Sequence, residues 1–197
     1  MNGSDDRVFL YPAKALPFDA EKLIVEVGPG RGDFLFHLAE SHKYATIVGI
    51  EIKAKRVDKL IRRIERRRLV NVAIIQDDAR EALPSFFADT TVDEIHIQFP
   101  DPWPKRRHEK HRPISEGLIA SCVRALKPGG ELCFITDHLP YAEFFSAMLA
   151  RNPALANCYD TPYITDLPDA FPTFFSEKWK SMGRKIYYQK YRTAGRR

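Results

Sequence analysis

Two stretches of this sequence carry residue types that could do chemistry together. The first is Glu26-Val27-Gly28-Pro29-Gly30-Arg31-Gly32, three glycines at alternate positions after an acid and an apolar run. Glycine lets a backbone approach a ligand closely, and a helix starting there offers free N–H groups to a carboxylate or phosphate. The dinucleotide fingerprint GxGxxG would need a third glycine at position 33, which is Asp33, and no GxxxxGK phosphate loop occurs. The second stretch is Ile97-Gln98-Phe99-Pro100-Asp101-Pro102-Trp103-Pro104-Lys105, where three prolines stiffen a loop that can hold Asp101 at fixed geometry. Lys105-Arg106-Arg107-His108-Glu109-Lys110-His111-Arg112 follows at once, a basic run that favours a phosphate-bearing substrate over a merely polar loop.

These stretches need elements to position them. Leu23 to Val27 reads as a strand that hands over at the glycine turn to a helix with Phe34, Leu35, Leu38 and Ala39 at helical spacing. Thr46 to Ile50 reads as a second strand, followed by a helix whose core face is Val57, Leu60, Ile61 and Ile64. Val72 to Ile75, Val92 to Phe99 and Glu131 to Thr136 read as further strands, the last after a Lys127-Pro128-Gly129-Gly130 turn. Between them lie a short helix over Arg80 to Phe87 and one that Ser115 caps, running to Leu126. A helix near Tyr141 to Ala150 comes next, then an irregular Pro-rich stretch from Pro153 to Pro172, and Lys185 to Tyr191 as a last strand. This alternation predicts an α/β fold with a mostly parallel sheet covered on both faces.

In such a sheet, ligands bind beyond the carboxyl ends of the strands where strand order reverses, which is where Gly28, Gly30 and Gly32 fall. Glu51 closes the second strand about twenty residues after the turn, the position from which a carboxylate accepts ribose hydroxyls. Asp78, just past the third strand, is suited to an adenine amino group. A glycine turn alone is most simply a tight turn; together with acids after strands two and three it points to a nucleoside ligand.

At 197 residues the chain fits one domain, here 1–197, with 1–21 as an N-terminal extension and 153–184 as an irregular substrate-side segment. No window approaches the roughly eighteen apolar residues of a membrane span, and Asp5 and Asp6 stand where a signal peptide carries cations, so a soluble, cytoplasmic protein is expected. The three cysteines, Cys122, Cys133 and Cys158, form no CxxC pair and read as small core residues; none of the six histidines has a metal partner at ligand spacing, so no metal is expected. The net charge of +5 permits attraction to a polyanion without requiring one. The run Arg62, Arg63, Arg66, Arg67 and Arg68 lies opposite an apolar stripe and reads as a solvated helix face ahead of an RNA contact. The tail, with Lys178, Lys180, Arg184, Lys185, Lys190, Arg192, Arg196 and Arg197 among Trp179 and several Tyr, is the better RNA candidate, since bases stack on rings.

The glycine turn with Glu26, Glu51 and Asp78 resembles the class I S-adenosylmethionine-dependent methyltransferases over about residues 22 to 137. The Phe99-Pro100-Asp101-Pro102-Trp103-x-Lys105 segment with its basic continuation resembles the bacterial tRNA (guanine-N7)-methyltransferase family. That resemblance implies a Rossmann-like three-layer sandwich with a mostly parallel seven-stranded sheet, S-adenosylmethionine as cofactor with S-adenosylhomocysteine as product, and tRNA as partner of a monomer or homodimer. It implies cofactor contacts at Glu26, Gly28, Gly30, Gly32, Glu51, Asp78 and Asp101, with Asp101 also catalytic, and acceptor contacts at Lys105 and Asp137. The family's Thr-x-x-Glu falls on Thr173-Phe174-Phe175-Ser176, with Ser in the acidic position and Glu177 one residue later, so Thr173, Ser176 and Glu177 share an expected substrate role. Arg106, Arg107, Lys110 and Arg112 are the RNA-contact candidates. The implied target is a guanine of the variable loop.

The chemistry agrees. Guanine N7 has a lone pair and no proton, so methyl transfer needs in-line placement and no strong base, and the sequence shows no base dyad or nucleophilic cysteine. Asp101 or Asp137 could stabilise the cationic product base. Three other readings compete: methylation of an exocyclic amine, which Asp101-Pro102-Trp103 partly imitates; a nicotinamide oxidoreductase, which Asp33 disfavours; and a non-catalytic RNA-binding module, which the set of acids argues against.

Overall fold

The computed structural model describes residues 9–11, 21–101, 114–165 and 167–195. A sheet of eight strands runs through it in the order β1-β4-β3-β2-β5-β6-β8-β7, where β1 is Phe9–Tyr11, β2 Lys22–Val27, β3 Ala45–Ile50, β4 Val72–Gln76, β5 Val92–Gln98, β6 Leu126–Thr136, β7 Leu155–Asn157 and β8 Tyr187–Thr193. Strands β4, β3, β2, β5 and β6 are parallel, while β8 is antiparallel to β6 and β7 to β8. These seven form the expected sheet. The eighth, β1, adds antiparallel to β4 at the outer edge.

Alternation along the central strands explains the layers. Leu23 and Val25 of β2 face a core completed by Ala82 and Leu83 of α3 (Ala79–Phe86), Leu118 and Cys122 of α4 (Glu116–Ala125) and Phe145 of α5 (Leu139–Leu149). Ile24 between them points the other way, to a core with Leu35 and Phe36 of α1 (Asp33–Ser41) and Val57, Leu60 and Ile64 of α2 (Ala54–Arg67). Residues of period two on the strands and of helical period on α2 therefore meet as predicted, giving helix, sheet, helix. Ser115 caps α4 by accepting from the Leu118 N–H (3.2 Å).

Three expectations change. The segment 153–184, read as irregular, contains β7 and α6 (Phe174–Ser181). Thr173 and Ser176 close a capping box at the start of α6, the Ser176 N–H donating to Thr173 Oγ1 (3.2 Å) and the Thr173 N–H to Ser176 Oγ (2.8 Å). A helix so short has no long apolar stripe, so its cap is the only local signal. Strand β6 begins at Leu126 and carries the Lys127-Pro128-Gly129-Gly130 stretch within it, with a shift of register against β5 between Val92 and Glu94. Of the cysteines, Cys122 is buried but Cys158 is exposed. Among the described residues no helix is long and apolar enough to cross a membrane.

Candidate active site

The strand order reverses between β2 and β5, and beyond their carboxyl ends opens a cleft of about 480 Å³. Its floor is the end of β2. Glu26 is 3% exposed, and its Oε2 has no hydrogen-bond partner among the described residues. Burial pushes its carboxyl up to about 8; the positive His96 opposes this, Asp33 and Glu51 add to it, and a backbone hydrogen bond from Leu35 opposes it. A buried acceptor left open at the mouth of a parallel sheet is suited to a donor on a ligand.

Gly28 and Gly30 turn the chain here with φ of 71° and 55°, and a Cβ at Gly28 would meet no atom within 4 Å. The backbone itself is therefore a wall of the cleft. Glu51, 2% exposed at the end of β3, accepts from the Lys53 N–H (2.9 Å) and lies 3.5 Å from Arg56 Nη1. Asp78 caps α3 through the Arg80 N–H (2.9 Å) and holds the Arg80 guanidinium at 3.0 and 2.5 Å. That side-chain hydrogen bond keeps the Asp78 carboxyl below its usual range.

The opposite wall is built from β5, β6 and α6. Phe99 has φ of 47°, a conformation that costs a bulky residue on the order of 1–2 kcal/mol. Its N–H still donates to the Ile135 carbonyl (2.8 Å), so the sheet holds the turn. The chain thereby brings Pro100 and the exposed Asp101 to the cleft. Asp137, just after β6, holds Arg184 Nη1 at 2.5 Å, and the Arg184 guanidinium lies 4.3 Å from the centre of the Trp179 ring. Asp33 Oδ2 accepts from the Phe174 N–H (3.4 Å), tying the start of α6 to the start of α1.

Of the expected site residues, Glu26, Gly28, Gly30, Glu51, Asp78, Asp101, Asp137 and Thr173 line this one cleft. Three do not. Gly32 caps α1 with φ of 79°, and a Cβ there would meet Leu60 Cδ2 at 2.5 Å and Phe36 Cε2 at 2.8 Å, so its need for glycine is helix packing. Ser176 is buried with its hydroxyl in the capping box, and Glu177 faces solvent, 3.8 Å from Lys180. Lys105, Arg106, Arg107, Lys110 and Arg112 lie outside the described residues.

The cleft also holds residues the sequence did not single out for it: Gln98, Phe99, Phe175 and Trp179. Gln98 Nε2 is buried without a hydrogen-bond partner among the described residues, a donor to complement the open acceptor of Glu26. Its place at the end of β5, immediately before the Phe-Pro-Asp segment, was the available signal. The tail differs from expectation in the opposite sense: Lys190 and Arg192 each bind Glu131 at 2.6 Å across the sheet. Those two cations share one carboxylate inside the chain.

Residues 20–189 match a family described as "Putative methyltransferase". A tRNA (guanine-N(7)-)-methyltransferase of Paracidovorax citrulli is 40% identical over 169 residues, covering 85% of this chain and 67% of that protein. The chain belongs to the tRNA (guanine-N(7)-)-methyltransferase family. A second member, from Syntrophotalea carbinolica, is 32% identical over 166 residues, 84% of this chain and 72% of that protein. Beyond the family the fold alone is shared: a 16S rRNA methyltransferase, KamB, superposes with a TM-score of 0.67 at 13% identity over 89% of each chain. Both halves of the cleft fall within the matched residues, from Glu26 on β2 to Trp179 on α6.

Proposed function

We propose that this chain transfers the methyl group of S-adenosylmethionine to N7 of a guanine in tRNA, at the variable loop. The observation that carries the reading is one cleft at the reversal of strand order in which Glu26, Glu51 and Asp78 face Asp101, Asp137 and Trp179. The cofactor, when bound, supplies a methyl group on a positively charged sulfur. Glu26 Oε2 is the acceptor for its ammonium, Glu51 takes the ribose hydroxyls, and the glycine backbone admits it closely. The residues fit such a ligand: an unpartnered buried acceptor at Glu26, an unpartnered donor at Gln98 and open space beside Gly28.

On the acceptor side no proton has to move. The bound cofactor would supply the methyl carbon to the N7 lone pair and keep the sulfur–carbon electron pair on its sulfur, so the protein's task is alignment. Asp101 and Asp137 accept hydrogen bonds from the guanine edge and stabilise the positive charge that the base gains. Trp179 offers a ring for stacking, Thr173 a hydroxyl at the wall, and Lys105, Arg106, Arg107, Lys110 and Arg112 charges for the phosphates. One copy carries both halves of the cleft, in keeping with a cytoplasmic enzyme that works as a monomer or homodimer.

The test is direct. Incubation with unmodified tRNA and labelled S-adenosylmethionine, followed by digestion to nucleosides, should yield 7-methylguanosine. N6-methyladenosine, or no labelled nucleoside, would overturn the reading.

A further inference from the structure

The arginine-rich helix α2, expected to present its cations to solvent, does not treat them alike. Arg56, Lys59 and Arg63 recur at i, i+3 and i+7 and so share one side of the helix. With Arg31 from the glycine turn they surround a second cavity, of about 370 Å³, whose remaining walls are Gly30 and Phe175. Gly30, Arg56 and Phe175 also line the cofactor cleft, so the two spaces adjoin.

The cations outnumber the acids that hold them. Arg31 and Arg63 share Asp33, at 4.0 and 3.6 Å, and Arg56 reaches Glu51 at 3.5 Å. Lys59 is exposed and has no ion pair among the described residues. Four positive charges against two carboxylates leave a net positive site. The guanidinium of Arg63 is fixed besides by donating to the Arg31 carbonyl and by lying 4.6 Å from the centre of the Phe36 ring. Arg67, one turn on, is instead neutralised by Glu40 at 2.6 Å, outside the cavity. Beside the cations Phe174 and Phe175 are 43% and 36% exposed, and the Arg31 guanidinium lies 4.1 Å from the Phe174 ring centre. Fixed guanidinium forks, a free ammonium and exposed rings together are what a phosphodiester with its base requires.

We propose that this cavity binds a phosphodiester of the RNA acceptor next to the nucleotide being methylated, with Lys59 and Arg63 on the phosphate and Phe175 against the adjoining base or sugar. The assignment rests on the reading of the chain as a tRNA methyltransferase. It gives α2 a role in acceptor binding through Lys59 and Arg63, which do not line the cofactor cleft.

Charge reversal tests it. Lys59→Glu, which breaks no ion pair among the described residues, should weaken binding of an unmodified tRNA transcript about ten-fold and lower the slope of log affinity against log salt by about one. S-adenosylhomocysteine binding by calorimetry should stay within two-fold. Lys43→Glu makes the same charge change at the exposed amino-terminal end of β3, at the opposite end of the strands from the cavity, and should shift tRNA affinity less than three-fold. Lys59→Glu with parental affinity and slope overturns the proposal, and so does a Lys43→Glu loss equal to that of Lys59→Glu, since net charge would then suffice. Failure of the functional reading looks different: the parent protein would make no 7-methylguanosine, whatever Lys59→Glu does to RNA binding.

Discussion

Under β2, β3 and β4, each carboxylate of the cleft stands at the end of a regular strand or at the cap of the helix that follows; over β5 and β6, the wall is a strained Phe99, a proline-bounded acid and the start of α6. The first half uses backbone that the sheet would form in any case. The second depends on contacts between segments far apart in sequence, such as Asp33 with Phe174 and Asp137 with Arg184. A cofactor of fixed shape can be met by a standard arrangement of strand ends, whereas a nucleic acid needs surfaces particular to the chain.

The largest effect should come from the second half. Asp101→Ala removes an exposed side chain, so the fold should stand, and methyl transfer should fall at least about 100-fold, in line with removal of a group that stabilises developing charge. Single-turnover rates on tRNA measure it, with circular dichroism to check the fold. Full activity in that variant would remove Asp101 from the reacting site and leave the contrast between the halves without its chemical basis.

The glycine turn gives the next largest effect, and it separates packing from binding. Gly32→Ala forces a methyl against Leu60 and Phe36 at positive φ and should cost about 2–4 kcal/mol of stability. Gly28→Ala meets open space; the backbone strain is about 1 kcal/mol, and the larger loss should be in S-adenosylhomocysteine affinity. Thermal melting and calorimetry on both variants would expose an error: equal melting temperatures would mean that Gly32 has the same role as Gly28.

These predictions also mark where the sequence could be read. Glu26, Gly28, Gly30, Glu51 and Asp78 were legible because an apolar run followed by a turn fixes a strand end, and a strand end in a parallel sheet fixes the site. Gly32 fitted the same pattern for another reason, visible only once α2 packs against α1. Helix α6 was hidden because it is eight residues long, follows a Pro-rich stretch and turns Phe175 and Trp179 to the cleft instead of the core. Interleaved aromatic residues favoured the tail over α2, but composition does not say which cations are paired. The cross-strand contacts show that Lys190 and Arg192 share Glu131, while Lys59 has no such partner among the described residues.

A pH dependence follows from Glu26. Its carboxyl titrates near 4.5 in an unfolded chain and about 8 in the fold, so between those values the folded state holds a proton that the unfolded state has lost. Stability of the cofactor-free protein therefore falls as pH rises through that window, by about 1.4 kcal/mol per unit from this group at most. Glu26→Gln, which has no such proton to lose, should flatten the slope of denaturant-derived stability between pH 5 and 8. An unchanged slope would mean that the buried carboxyl is satisfied in a way that keeps it charged.

The smallest expected effect is at Glu177. Its carboxylate is exposed and loosely paired with Lys180 at 3.8 Å, an arrangement worth about 0.5 kcal/mol or less. Glu177→Ala should leave methylation of tRNA within two-fold. Ser176→Ala should cost more, about 1 kcal/mol, because it opens the capping box that starts α6 and with it the register of Phe175 and Trp179. Ser176, at the position the resemblance makes acidic, is tied by the structure to the cap of α6 and not to the cleft. A ten-fold loss in Glu177→Ala with Ser176→Ala unaffected would require α6 to present a different face to the RNA, with Glu177 in place of Phe175 and Trp179 at the cleft.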